Sequence, residues 1–355
     1  MSESIMPART SRTDLQRRAY PARRQQRGSV VLFFVAFLIP LLMFAAFAIN
    51  LARVSVVRNE LQNAADAAAL AGAARLVTAG SGVPNWADAS MATTSAISLN
   101  ASDNTRLSSA TATPGYWNLT GSPSVLQATT ITPGAYDAAA IQVHVFRSAS
   151  QNGGLIGLAF GTLLGLPGTA ATATAIAVAA APGTVNGGLF PVALSQCVYD
   201  TYWDSSTHQP KIDPSTGKVY EFQIGNGHTY GGTCQAGQWT SFASVANDVP
   251  TVRGLIANGN PTPLSIGTNI YIQHGAKTTV YSSVPLNTVI YVPIVSSIVS
   301  GSYEPIVAFA AFRVDDIGTP SQKYIEGHFL TGYDIPQSSG VGPNYGAYVP
   351  PRLGL

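Results

Sequence analysis

Charged side chains are scarce: Lys and Arg number 19 and Asp and Glu 17 in 355 residues, a net charge of +2. Such a balance, with no basic patch beyond the first 27 residues, gives no support to nucleic-acid binding. Cysteine is scarcer still, with only Cys197 and Cys234. Neither has a C-x₂-C neighbour, so a zinc site is poorly supported. No G-x-S-x-G, H-E-x-x-H or G-K-[ST] pattern occurs, which removes the usual sequence grounds for a serine hydrolase, a zinc protease or a phosphate loop. Glycine (34) and proline (23) are by contrast abundant, and Ser, Thr and Asn are frequent. That profile suits a β-rich extracytoplasmic protein with many turns and argues against a cytosolic enzyme or a coiled coil.

One stretch lacks charge altogether. From Gly28 to Ala52 no ionisable side chain occurs, and Gly28 to Ile49 reads as about 22 apolar residues, roughly 33 Å of helix against a ~30 Å hydrocarbon core. A membrane helix is expected there, with Pro40 removing one backbone bond and kinking it. Arg9, Arg12, Arg17, Arg18, Arg23, Arg24 and Arg27 precede it against Glu3 and Asp14. This basic arm favours a cytoplasmic N-terminus, leaving the later residues outside. The run exceeds the h-region of a secretory signal and no clean A-x-A site follows, so it reads as an uncleaved anchor.

Beyond the anchor, Val54, Val57, Leu61, Ala64/Ala65, Ala68 and Ala71 recur at three- and four-residue steps and mark one helical face. Their small size permits close approach by a partner helix or by the chain's own sheet. Arg58, Gln62 and Asp66 share another face, where an Arg–Asp contact is expected. The helix is expected to end near Val77, before Gly80-Ser-Gly-Val-Pro84. A short helix over Trp86–Leu99 and a strand over Ala140–Phe146 follow. Gly154–Leu166 is an apolar stretch of about 13 residues, too short to span a membrane. It reads as a buried helix before a strand over Thr169–Ala181, completing an α+β module.

Pro182–Gly188 reads as a domain boundary. Short strands are expected after it at Leu189–Leu194, Val219–Ile224, Ile270–Gln273, Thr278–Ser282, Thr288–Val295, Ile306–Val314 and Tyr324–Leu330, forming a β sandwich or barrel. The fold class is therefore α+β. The expected divisions are 1–27, a cytoplasmic arm; 28–52, the anchor; 53–181, a pilin-like module; 182–335, a β-rich domain; and 336–355, a flexible tail or an extended docked strip. Cys197 and Cys234, both beyond the anchor, suggest a disulfide closing a loop of about 37 residues, worth on the order of 3–4 kcal/mol. Two buried free thiols are the alternative.

Arg27-Gly-Ser-Val-Val-Leu-Phe-Phe-Val-Ala-Phe-Leu-Ile-Pro40, Asn50-Leu-Ala-Arg53 and Arg58-Asn-Glu-Leu-Gln-Asn-Ala-Ala-Asp-Ala-Ala-Ala-Leu-Ala-Gly72 resemble the N-terminus of TadG-like proteins of the bacterial Flp/Tad (tight adherence) pilus assembly system, with a TadE/TadG-like opening segment. The resemblance extends loosely to about residue 181. It implies a single-pass inner-membrane component, with its C-terminal domain in the periplasm or at the cell surface. Its implied partners are other Flp/Tad pilus or pseudopilin subunits; it implies no catalysis and no cofactor. Pseudopilin-type relatives are cut after a glycine that is followed at mature position five by glutamate. Here Gly28–Ser29 would be the cut, and Phe33 stands at that position, which argues against processing. The von Willebrand type A metal motif D-x-S-x-S of some relatives does not occur.

The remaining polar residues give weak signals. The five histidines are dispersed, and whether Glu326 and His328 meet Asp315 and Asp316 cannot be read from spacing. Asp200, Asp204 and Asp213 lack EF-hand spacing. Gly225–Gly232 reads as a β-turn. Tyr199, Tyr202, Trp203, Phe222, Tyr230, Trp239 and Phe242 crowd the cysteine loop, with core packing favoured over surface recognition. No catalytic, metal or small-molecule site is expected. A membrane-tethered binding protein outside any pilus is the alternative to a pilus component, and an extracytoplasmic hydrolase a further rival.

Overall fold

The computed structural model describes residues 29–134, 136–161, 165–225, 227–275, 277–319, 321–322 and 324–354. The expected basic arm and Gly28 lie outside them. The first element is helix α1, Ser29–Leu76, which contains Pro40 without ending there. The chain divides into a unit up to Leu51 and a compact unit over Ala52–Leu355. In the first, large apolar side chains such as Phe33, Leu41, Phe44 and Phe47 are exposed. Among the described residues, α1 is the one helix long and apolar enough to cross a membrane.

In the second unit the pattern of α1 changes to one buried stripe. Val57, Leu61, Ala64, Ala65, Ala68, Ala69, Ala73 and Leu76 are inaccessible. They pack on a four-stranded antiparallel sheet in the order Arg352–Leu353, Ala171–Ala179, Asp137–Arg147, Thr111–Asn118. Strand alternation puts Ala139, Ile141, Val143 and Val145 on the α1 side and Ala138 and Ala140 on the other, with Trp117, Ile176 and Val178. Helix α2, Trp86–Ile97, is capped by Asn85, whose side chain accepts from the Asp88 N–H at 3.2 Å. It crosses α1 at Gly72, where a Cβ would stand 2.1 Å from Thr93 Oγ1, so only glycine permits this approach.

The larger sheet runs Phe222–Ile224, Ile325–Leu330, Tyr303–Ile317, Thr288–Val295, Val192–Ser195, Gly237–Trp239, with Asn269–Tyr271 also on Tyr303–Ile317. All pairings are antiparallel except that of Val192–Ser195 with Thr288–Val295. Its central strands bury both faces. Leu194, Ala308, Ala310 and Phe312 enter one cluster with helices α3 (Gln196–Tyr202) and α4 (Val249–Asn258). Ala193, Ile306 and Phe309 enter another. The result is α+β, with a mainly β C-terminal portion.

Several local expectations differ from the structure. Gly154–Leu166 forms no helix among its described residues; Ile156–Gly157 instead pairs with Gly168–Thr169 as a hairpin. Four glycines in that run disfavour a helix. Thr278–Ser282 contributes a 3₁₀ turn, Tyr281–Ser283, rather than a strand. Pro182–Gly188 contains Thr184–Val185, which lies between Leu264–Ser265 and Ser338–Ser339 in a three-stranded sheet. One face of the large sheet packs against α3 and α4, and the other against strands that include Val185 and Leu264 of the three-stranded sheet. Within 336–354 the chain takes the docked, extended form: Ala347, Tyr348 and Val349 are buried, and Arg352–Leu353 pairs with Ala177 and Val178.

Candidate functional site

The candidate site is α1 and the groups that fix its C-terminal half. Val57, Leu61, Ala65 and Ala68, expected to pack either internally or on a partner, all pack internally on the sheet. Val54 is partly buried against the same cluster. None of the four fully buried side chains is available to another subunit. Exposed positions of α1 beyond the apolar run include Val56, Asn59, Asn63 and Ala67. The expected Arg58–Asp66 contact is replaced by a bond from Gln62 Nε2 to Asp66 Oδ1 at 2.8 Å, and Gln62 also donates to Thr174 O.

Where α1 leaves its charge-free run, a polar clamp holds it. Arg53 donates to Asp103 Oδ2 at 2.9 Å and to Gly157 O at 3.2 Å. The buried Arg147 donates to the same Asp103 oxygen at 3.1 Å and to Ser102 O at 2.7 Å. Glu60 Oε2 accepts from the Asp103 N–H at 2.7 Å. Asp103 and Asn104 have φ of 50° and 59°. This left-handed pair makes the two-residue turn of the Ala101–Ser102/Thr105–Arg106 hairpin, where Asp and Asn are tolerated. One carboxylate between two guanidiniums satisfies the buried Arg147 charge, which would be costly alone. The sequence signal was weak: Arg53 stands in the family-like Asn50–Arg53 string, but its partners are about 50 and 100 residues away.

In the larger portion, Cys197 and Cys234 form the expected disulfide. It joins α3 to the strand Cys234–Gln235 beside the aromatic cluster. Tyr199, Trp203, Phe222, Trp239 and Phe242 are buried, while Tyr202 and Tyr230 are partly buried against the core. Burial raises the Tyr199 phenol far above its ordinary value and raises Tyr202 to about 12. These rings are structural interior.

The polar residues beyond the core resolve into separate arrangements. Asp204 and Asp213 each accept from the Ser two residues later, and Asp200 accepts from Gln196. They do not converge. His328 does meet Asp315, with Nδ1 2.6 Å from Oδ2, and Arg313 Nε donates to Oδ1 at 3.0 Å. Asp315 falls at a register shift between Val314 and Asp316, the kind of bulge that re-aims a side chain. Glu221 completes a group whose donor atoms lie within 4.8 Å of one another, a spacing that could hold a metal ion. Arg313 pairs with one Asp315 oxygen and the His328 ring with the other, so that carboxylate is already occupied within the protein. Glu326 accepts from Gln223 instead, and Asp316 from Tyr324.

A cavity of about 300 Å³ is lined in part by Tyr116, Tyr136, Asp137, His208, Pro343 and Tyr348. Asp137 faces it with its carboxylate occupied by Asn118, Gln127 and the Gly134 N–H. Burial raises its pKa, and those donors together outweigh burial and hold it below the ordinary carboxylate value. Burial pushes His208 down, and its Nδ1 has no hydrogen-bond partner among the described residues.

Residues 28–75 match a family model described as "Putative Flp pilus-assembly TadE/G-like". The matched residues nearly coincide with α1, so the TadE/G-like signal covers the apolar run, Arg53 and the buried alanine stripe, and stops before α2. No curated protein and no solved structure matches the chain.

Proposed function

We propose that this chain is a non-enzymatic, membrane-anchored component of a Flp/Tad-type pilus, a minor-pilin-like assembly or tip factor that supports surface adhesion. The observation that carries this reading is α1 itself. One helix supplies an uncharged membrane-length run and then the buried backbone of a sheet-covered module, and the TadE/G-like match spans both parts. The arginine-rich arm supports a cytoplasmic N-terminus, with the residues after the anchor in the periplasm or at the surface. A disulfide in that portion suits an oxidising compartment.

With Val57 and Ala68 buried, partner contacts fall to the apolar run and the exposed side of α1, and the β-rich portion serves as cap, adaptor or adhesin. Phe33 opposes cutting at Gly28–Ser29, so the mature chain keeps its arm. The test is deletion in the native bacterium, with pili counted by electron microscopy and restored by the full chain. Loss and recovery of pili support the reading. Unchanged piliation, with the protein retained in membranes, overturns it in favour of a tethered binding protein.

A further inference from the structure

The polar corner of the seven-stranded sheet around His328 is left unexplained by a pilus role. We propose that Glu221, Asp315 and His328 together bind one divalent transition-metal ion of the zinc type on the surface of the β-rich portion. The site is independent of what α1 contacts.

Strand pairing gathers the three donors. Phe222 stands opposite Gly327, so Glu221, one residue earlier, falls beside His328 on the neighbouring strand. On its other side His328 stands opposite Arg313. Asp315 is set out of register between the pairs Val314–Gly327 and Asp316–Glu326, and its carboxylate reaches His328. One donor atom from each of Glu221, Asp315 and His328 lies within 4.8 Å of the others. Zinc bonds of about 2.0–2.2 Å put tetrahedral neighbours about 3.3–3.6 Å apart. The 2.6 Å contact of His328 Nδ1 with Asp315 Oδ2 opens to that separation, and the wider ones close. The ion takes the place of the proton between Nδ1 and Oδ2, and the neutral ring carries its proton on Nε2. Arg313 Nε stays on Oδ1 and fixes the carboxylate, as the outer partners of metal ligands do.

Charge points to a cation independently. The Glu221 carboxylate is exposed and has no hydrogen bond or ion pair with a described residue. Asp316 stands directly opposite Glu326, a cross-strand pair of like charges that is unfavourable by itself. Each of the two accepts from a neutral donor, Tyr324 Oη and Gln223 Nε2. Among the described residues, Arg313 and the His328 ring are the basic groups paired with this corner. An added cation relieves that acid excess, and the charges of Glu221 and Asp315 match a divalent ion. The imidazole selects zinc and similar metals over Mg²⁺ and Ca²⁺, which take oxygen donors. Three protein donors leave the remaining tetrahedral position to water. Glu221 lies within the loop closed by Cys197 and Cys234, so the ion ties that loop to the sheet.

The test uses the untagged, full-length, disulfide-bonded chain in detergent, stripped with EDTA, dialysed and titrated by calorimetry with ZnCl₂, MgCl₂ or CaCl₂. The expected result is one zinc per chain at micromolar affinity, with a raised melting temperature, and no saturable binding of Mg²⁺ or Ca²⁺. Cobalt in place of zinc should give the visible absorption bands of a four-coordinate site. Glu221→Gln removes a carboxylate that has no protein partner, so its metal-free melting temperature should equal that of the parent. Its zinc affinity should fall roughly tenfold or more. His328→Ala should abolish the cobalt bands, and His274→Ala should leave them unchanged. Absence of saturable zinc binding overturns the proposal. Zinc affinity unchanged in both Glu221→Gln and His328→Ala also overturns it and places the ion elsewhere. Calcium binding as tight as zinc binding overturns it too, marking a merely acidic surface.

Discussion

The two main sheets bury their faces by opposite means. The four-stranded sheet meets α1 through alanine: Ala64, Ala65, Ala68 and Ala69 face Ala139, Ala173, Ala175 and Ala177. The seven-stranded sheet is filled by rings, with Phe312 edge-on to Phe222 at 5.4 Å and to Phe329 at 6.0 Å. An alanine face lets a helix backbone lie close to a sheet but offers little apolar area per residue. An aromatic core buries much more area, and here it is also tied by a disulfide. Small side chains thus mark where α1 must be held at close range, and large ones where a free-standing portion must be stable.

The comparison can be broken in order of size. Phe312→Ala should destabilise by about 3–5 kcal/mol, because it removes a fully buried ring from a cluster that collapses only partly. Urea unfolding of the residues beyond the anchor would show it as a lower midpoint. Replacing Cys197 and Cys234 by Ser should cost about 2–4 kcal/mol from a loop with a sequence separation of 37, read in the same experiment.

Ala65→Leu should cost about 1–3 kcal/mol by overpacking the alanine face, whereas Ala67→Leu on the exposed side should cost almost nothing. Equal effects at the two positions would erase the proposed difference between the faces. The smallest effect is electrostatic. The Asp137 carboxylate has a folded pKa below its ordinary 3.8, so its contribution is present above about pH 4 and lost as pH falls through the folded value. Asp137→Asn should flatten that acid limb, measured as melting temperature against pH.

How far the sequence carried depended on whether the deciding contacts were local. The charge-free run, the alanine stripe and the strands near 140–146 and 171–179 follow from periodicity, and the structure forms them. Gly154–Leu166 did not follow, because its apolar content suggested a helix while Gly157 and Gly168 pair in a hairpin. The face shared by Val57 and Ala68 was legible as a face; what covers it was not, since the covering strands lie roughly 40 to 120 residues onward. Asp103 lies 50 residues beyond Arg53, which hid the clamp with Arg147, whereas His328 is only 13 residues from Asp315 and meets it through the register of two paired strands. Docking of the Gly/Pro-rich strip 336–355 depends on Ala177 and Val178, far earlier in the chain.

The most direct test of the central claim is photo-crosslinking in living cells, with a crosslinking amino acid placed one at a time at Phe37, Phe44, Val57, Asn63, Ala65 and Ala67. The expected result is adducts with pilus components from Phe37, Phe44 or the exposed Asn63 and Ala67, and none between chains from Val57 or Ala65. Interchain adducts from Val57 or Ala65, or no adduct with any pilus component from any position, would contradict it.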